Sequence, residues 1–169
     1  MERHEIIAEA RALFEKRWPD VNPAAACLYL TIATIACAQA RGIKLLLQAG
    51  SMHWRCVPPE LDDGVSPTHF AYVWETNRMD AHVFTARTKH LPEIHVWAVD
   101  PVRRELVDAS TRGFPVACEH TAGMKWVGPP PPDFLWTEGD SLPDGAVYEP
   151  KLEACLFAAD IVNNVLKGI

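Results

Sequence analysis

AAACLYLTIATIACAQARGIKLLLQAG, residues 24–50, joins two kinds of secondary structure at one glycine. Up to Arg41 the stretch is rich in Ala, Leu and Ile and carries no charge, which favours helix and leaves no stripe for solvent. Such a helix belongs in a covered, central position. Asn22 is placed to cap it, Pro23 to fill its first position and Gly42 to stop it after Arg41. Beyond Gly42 the apolar run 43–49 reads as strand. Cys27 lies near the start of this helix and Cys37 deeper in it; an Asn22 cap sets Cys27 more than a turn inside.

Toward the N-terminus, Ile6, Ile7, Ala10, Leu13 and Phe14 recur at helical spacing between charges, so 3–17 is a surface helix with one inward stripe, ended by Trp18-Pro19-Asp20. Toward the C-terminus come short β-type runs at 52–57, 69–74, 82–86, 94–99 and 105–108. The stretch 129–143, including GPPPPDFLW, cannot form a regular central element, because proline has no N–H to donate. It is expected to cross the surface, either packing Phe134 and Trp136 on the core or offering a docking segment. Helical spacing returns over 150–167, with Gly168 as a stop. The order predicts an α+β fold in one domain, residues 1–169: a buried helix packed on a mostly antiparallel sheet, with flanking N- and C-terminal helices.

A formal charge of −6 without a basic block disfavours nucleic acid and anionic membrane as partners. The run 21–40 approaches a membrane span in length, but Asn22, Pro23 and Gln39 favour a helix inside a soluble domain. The charged start MERHEIIAEARALFEKR does not resemble a signal peptide. Five scattered cysteines form no C-x-x-C pair, so reduced thiols in a cytoplasm are expected.

In IHVWAVDPVRRELVDAST, residues 94–111, Asp100-Pro101 suits the first two positions of a type I turn. A hairpin centred between Pro101 and Val102 pairs Val99 with Arg104, Trp97 with Leu106 and His95 with Asp108. An imidazole and a carboxylate then share one face within hydrogen-bonding reach. A carboxylate on one ring nitrogen fixes the tautomer and frees the other to take a proton from a nucleophile. Cys27 is the candidate, since a helix start and a neighbouring imidazolium both favour a thiolate.

The order and spacing resemble the transglutaminase-like branch of the papain-like cysteine fold. Cys27 opening a core helix, Gly42-Ile43, Gly50, His95-Val96-Trp97 and Asp108-Ala109-Ser110 fill that family's places, over residues 24–50 and 93–111. The resemblance implies nucleophile Cys27, base His95 and orienting Asp108, acting through a thioester acyl-enzyme in hydrolysis, deamidation or amide exchange, without a cofactor. A peptide, a protein or a small amide would be the substrate. The backbone N–H of Cys27 is the default oxyanion donor, and Asn22, Trp54 and Trp97 are candidates to line the site. The forty or so residues between Gly50 and His95 imply an inserted hairpin beside the cleft.

Other readings stand beside this one. A binding module that kept the fold and lost turnover would leave Cys27 no more reactive than Cys37. An N-acetyltransferase-like enzyme shares the Cys-His-Asp order, but its Arg-Gly-Gly lead-in is absent. The acidic knot Glu60-Leu61-Asp62-Asp63 could serve calcium or simply be a solvated loop. His82, His90 and His95 are close in sequence but lack a metal-ligand spacing, so no metal is expected.

Overall fold

The computed structural model describes residues 2–22 and 26–167, so the expected Pro23 and Gly168 helix signals lie outside the described residues. Along the chain come helix α1 (Glu2–Arg17), helix α2 (Cys27–Gln39), strand β1 (Leu46–Arg55), strand β2 (His69–Tyr72) and helix α3 (Arg78–Thr88). Strands β3 (His95–Asp100) and β4 (Glu105–Asp108), helix α4 (Phe114–Ala122), strands β5 (Leu135–Glu138) and β6 (Val147–Pro150), and helix α5 (Leu152–Lys167) follow. The fold is α+β, and none of the described helices is long and apolar enough to cross a membrane.

Helix α1 buries Ile6, Ile7, Ala10 and Phe14, with acids in its first turn and bases in its last, matching the helix dipole at both ends. Helix α2 begins at Cys27, not beside Asn22. Its N-cap position is Ala26, no side chain caps it, and Asn22 lies exposed outside it. Cys27 is therefore its first residue, not a residue inside its second turn. At the other end Gly42 adopts φ +75°, a left-handed conformation that glycine takes without steric penalty. Between these ends α2 covers β3, and its buried hydroxyls find carbonyls: Thr31 donates to Val96 O at 3.1 Å and Thr34 to Leu30 O at 2.7 Å.

All the strand pairings are antiparallel, in the order β2-β1-β3-β4-β5, with β6 also on β1. The two runs expected at 43–49 and 52–57 are one ten-residue strand, β1, continuous through Gly50. Its first half pairs with β3 and its second half with β2. Gly50 is required by close approach: a Cβ there would collide with the Glu149 carbonyl oxygen and come 2.8 Å from Lys151 N. Alternation along the strands gives each face its own core. Leu47, Ala49, Val96, Ala98 and Val107 meet α1, α2 and α5, while Met52, Trp54, Trp97, Leu106 and Leu135 meet Phe114, Ala117 and Cys118 of α4.

Other elements also differ from the sequence reading. The run 82–86 is not a strand but the middle of α3, started by Asn77, whose side chain accepts from Asp80 N, and docked on α5 by Arg78 and His82 at Asp160. That local cap outweighs the β-type residues of the run. The segment between Gly50 and His95 thus holds the antiparallel pair of β1's second half with β2 and, beyond it, α3. Within 129–143 the prolines stay irregular, but proline-free Leu135–Glu138 pairs with β4 as β5. Phe134 and Trp136 pack on the core, so this stretch is anchored on the sheet.

Candidate active site

The β3–β4 register is two residues away from the expected one. Ala98 pairs with Val107, Val99 with Leu106 and Asp100 with Glu105, so the connection is the four residues 101–104. Asp100 Oδ1 accepts from Val102 N and Arg103 N, and Arg104 takes φ 58° to re-enter the ladder. An even shift leaves every side chain on its own face, where an odd one would have moved Asp108 to the other side. His95 and Asp108 therefore meet diagonally.

His95 Nε2 lies 2.7 Å from Asp108 Oδ2, and both side chains are fully buried. The carboxylate is saturated with donors. Oδ1 accepts from Ser110 N at 2.8 Å and Ser110 Oγ at 2.6 Å, and Oδ2 also accepts from Tyr148 O–H at 2.7 Å. Tyr148 O in turn accepts from Trp54 Nε1 at 3.2 Å. Burial alone would raise the Asp108 pKa; the charge and hydrogen bond of His95, with the two Ser110 donors, outweigh it and hold the carboxyl below its ordinary value. For His95, burial pushes toward the neutral ring, but Asp108 first and then the Cys27 thiol more than offset this and raise its pKa. With Nε2 on Asp108, Nδ1 is left buried without a hydrogen-bond partner.

Rings fix the imidazole in its plane. Tyr72 stacks on it at 5.5 Å and 13°, Trp97 at 6.0 Å and 19°, and Phe114 meets it edge-on. Of the expected lining residues, Trp97 is fully buried and gives its N–H to Gln48 Oε1 at 3.1 Å, so it supports the ring from behind. Trp54 is also no oxyanion donor, since its N–H is spent on Tyr148. Asn22 lies outside α2, whose N-cap position is Ala26.

The five thiols are not equivalent. Burial raises the pKa of Cys37, Cys56 and Cys118, the last to about 11 with help from Cys56, which keeps all three as inert thiols. Cys155 is tied to the backbone of Ala49. Cys27, half-buried at the first position of α2, is the thiol that acts on His95. The three histidines of the metal reading do not converge: His82 binds Asp160, His95 binds Asp108 and His90 is exposed. The acidic knot is a turn whose Asp62 and Asp63 carboxylates cap nearby N–H groups of residues 64–66.

Tyr72, Ser110 and Tyr148 complete the site and were not foreseen. Ser110 had a signal, because Asp followed two residues later by a polar N–H donor is a common local turn. Tyr148 had none; it arrives on β6, forty residues further along the chain. Comparison of the chain with protein-family models, with curated proteins and with solved structures finds no match.

Proposed function

We propose that this chain is a thiol-dependent amide hydrolase or acyltransferase built on a papain-like, transglutaminase-like core. Cys27 is the nucleophile, His95 the base and Asp108 the residue that orients it. The observation that carries the reading is the division of labour on one buried ring, with Nε2 committed to Asp108 at 2.7 Å and Nδ1 left over on an imidazole that Cys27 influences. A merely structural histidine would have both nitrogens satisfied.

In this mechanism Nδ1 holds the proton drawn from the Cys27 thiol before attack, a transfer favoured by the raised basicity of the ring, and the sulfur so released attacks the carbonyl carbon of an amide. Asp108 holds the tautomer and stabilises the imidazolium. The ring returns the proton to the departing amine, leaving a thioester that water or a second amine resolves. Five free cysteines suit a reducing compartment such as the cytoplasm.

Alkylation with iodoacetamide near neutral pH, followed by peptide mass mapping, tests the assignment. Cys27 is expected to react far ahead of Cys37, and Cys27→Ser to lose the fast phase with little change in melting temperature. A fast phase that persists in Cys27→Ser overturns the nucleophile. Equal slow reaction of both thiols favours a binding module without turnover.

A further inference from the structure

We infer that the Tyr72 hydroxyl is the side-chain oxyanion donor of this site, acting with the backbone N–H of Cys27; the inference rests on the acyl-enzyme reading above. On β1, Gly50 faces His95 and Met52 faces Tyr72. Partners two residues apart on one strand put their side chains on the same face, which is why the two rings stack at 5.5 Å. Tyr72 thus covers the imidazole that Cys27 acts upon.

The aromatic donors around the His95–Asp108 pair are otherwise engaged. Trp97 N–H is on Gln48, Trp54 N–H on Tyr148, and Tyr148 O–H on Asp108. Among the described residues Tyr72 O–H makes no hydrogen bond, and it is absent from the buried unpartnered atoms, which are Arg11 Nε, Arg55 Nε, Trp74 Nε1 and His95 Nδ1. Tyr72 is half-buried, and its unpartnered oxygen is not among the side-chain atoms sealed from solvent. Burial, then the charges of Cys27, Glu93 and Asp108, push its pKa above the ordinary phenol range, keeping the O–H a donor at neutral pH. Those influences also place the phenol in the electrostatic neighbourhood of the sulfur. The Cys27 N–H, as the first of α2, belongs to the helix turn whose donors have no intrahelical acceptor.

In the step concerned, a bond forms between Cys27 Sγ and the carbonyl carbon and the C=O π pair moves to oxygen, while the proton drawn from the thiol stays on His95 Nδ1. The two donors hydrogen-bond that oxygen; the pair then returns to re-form C=O as the leaving group departs, giving the thioester. A donor aimed at the developing charge contributes on the order of 10²–10³ in rate in well-preorganised sites.

Two reagents separate this role from packing. p-Nitrophenyl acetate acylates the thiol through an oxyanion and releases p-nitrophenolate. Iodoacetamide alkylates it by displacement at a saturated carbon, with no oxyanion. Tyr72→Phe keeps the stacked ring and removes the donor. Acylation of Cys27 by p-nitrophenyl acetate is expected to slow at least roughly 10-fold, whereas alkylation by iodoacetamide stays within about two-fold of wild type. Equal rates in both assays overturn the inference, and so does a parallel loss in both, which makes Tyr72 a packing residue. Wild-type Cys27 that neither reagent modifies removes the acyl-enzyme reading itself, a result distinct from any behaviour of the Tyr72 variant.

Discussion

Tyr148 donates its hydroxyl to Asp108 Oδ2, the same oxygen that binds His95 Nε2, and both contacts are 2.7 Å. The orienting carboxylate is thereby locked by a strand that pairs with β1 and not with β4. Tyr148→Phe removes one hydrogen bond to a buried charge and leaves Trp54 N–H without its acceptor. A hydrogen bond to a charged group contributes about 1.5–3 kcal/mol, so a loss of that size is expected in urea unfolding. Unfolding identical to wild type would show that Ser110 and His95 alone satisfy the carboxylate.

Asp108→Asn tests the orienter, and the surrounding donors determine how the amide sits. Ser110 N is a fixed backbone donor at 2.8 Å from Oδ1, so the Asn oxygen must stay there and the amide nitrogen must take the Oδ2 position. His95 Nε2 then faces a donor, and the ring proton moves to Nδ1, where it blocks acceptance from Cys27. Turnover of p-nitrophenyl acetate at Cys27 should fall by roughly 10³–10⁴, the loss seen when another orienting aspartate becomes asparagine. Wild-type turnover would reduce Asp108 to a strand-end acceptor.

What the residues announced and what they hid follow a physical pattern. The His95–Asp108 pair was readable because strand alternation is strict: the turn length was misjudged by two residues, yet the face survived. The start of α2 at Cys27 was not readable, because its N-cap position, Ala26, carries no capping signal in its side chain. Helix α3 was hidden by the β-type residues of 82–86, none of which is buried, while its buried residue, Ala81, lies just before that run. Tyr72 and Tyr148 reach the site through pairings with β1 on either side of a long stretch of chain, and such non-local contacts leave no trace in spacing. Local chemistry was legible; the convergence of distant strands was not.

Gly50→Ala bears on the junction that brings Tyr148 into place. The added methyl would press on backbone atoms of Glu149 and Lys151, which cannot rotate aside as a side chain would. Relief requires separating β6 and the start of α5 from β1, and Tyr148 moves with them. A loss at or above the usual 1–3 kcal/mol for overpacking is expected, about 3 kcal/mol or more. Denaturant unfolding measures it, and a loss under about 1 kcal/mol would mean that the strands part easily.

The buried pair also sets a pH window for stability. His95 has its folded pKa raised to about 10, so its contribution is fully present below the unfolded value, about 6.5, and fades as pH climbs toward 10. Asp108 is lowered, so its contribution is present above the unfolded value, about 3.9, and fades as pH falls below it. The pair therefore stabilises most between about pH 4 and 6.5. The thiols of Cys37, Cys56 and Cys118 also weaken the fold at high pH, because their raised pKa values favour the protonated form that the unfolded chain loses earlier. Asp108→Asn retains those thiols and lacks the carboxylate, which makes it the control. Melting temperature from pH 6 to 9.5 should fall more steeply in the wild type than in Asp108→Asn. Parallel curves would mean that His95 does not keep its proton through neutral pH, and that the ring waits unprotonated for the thiol.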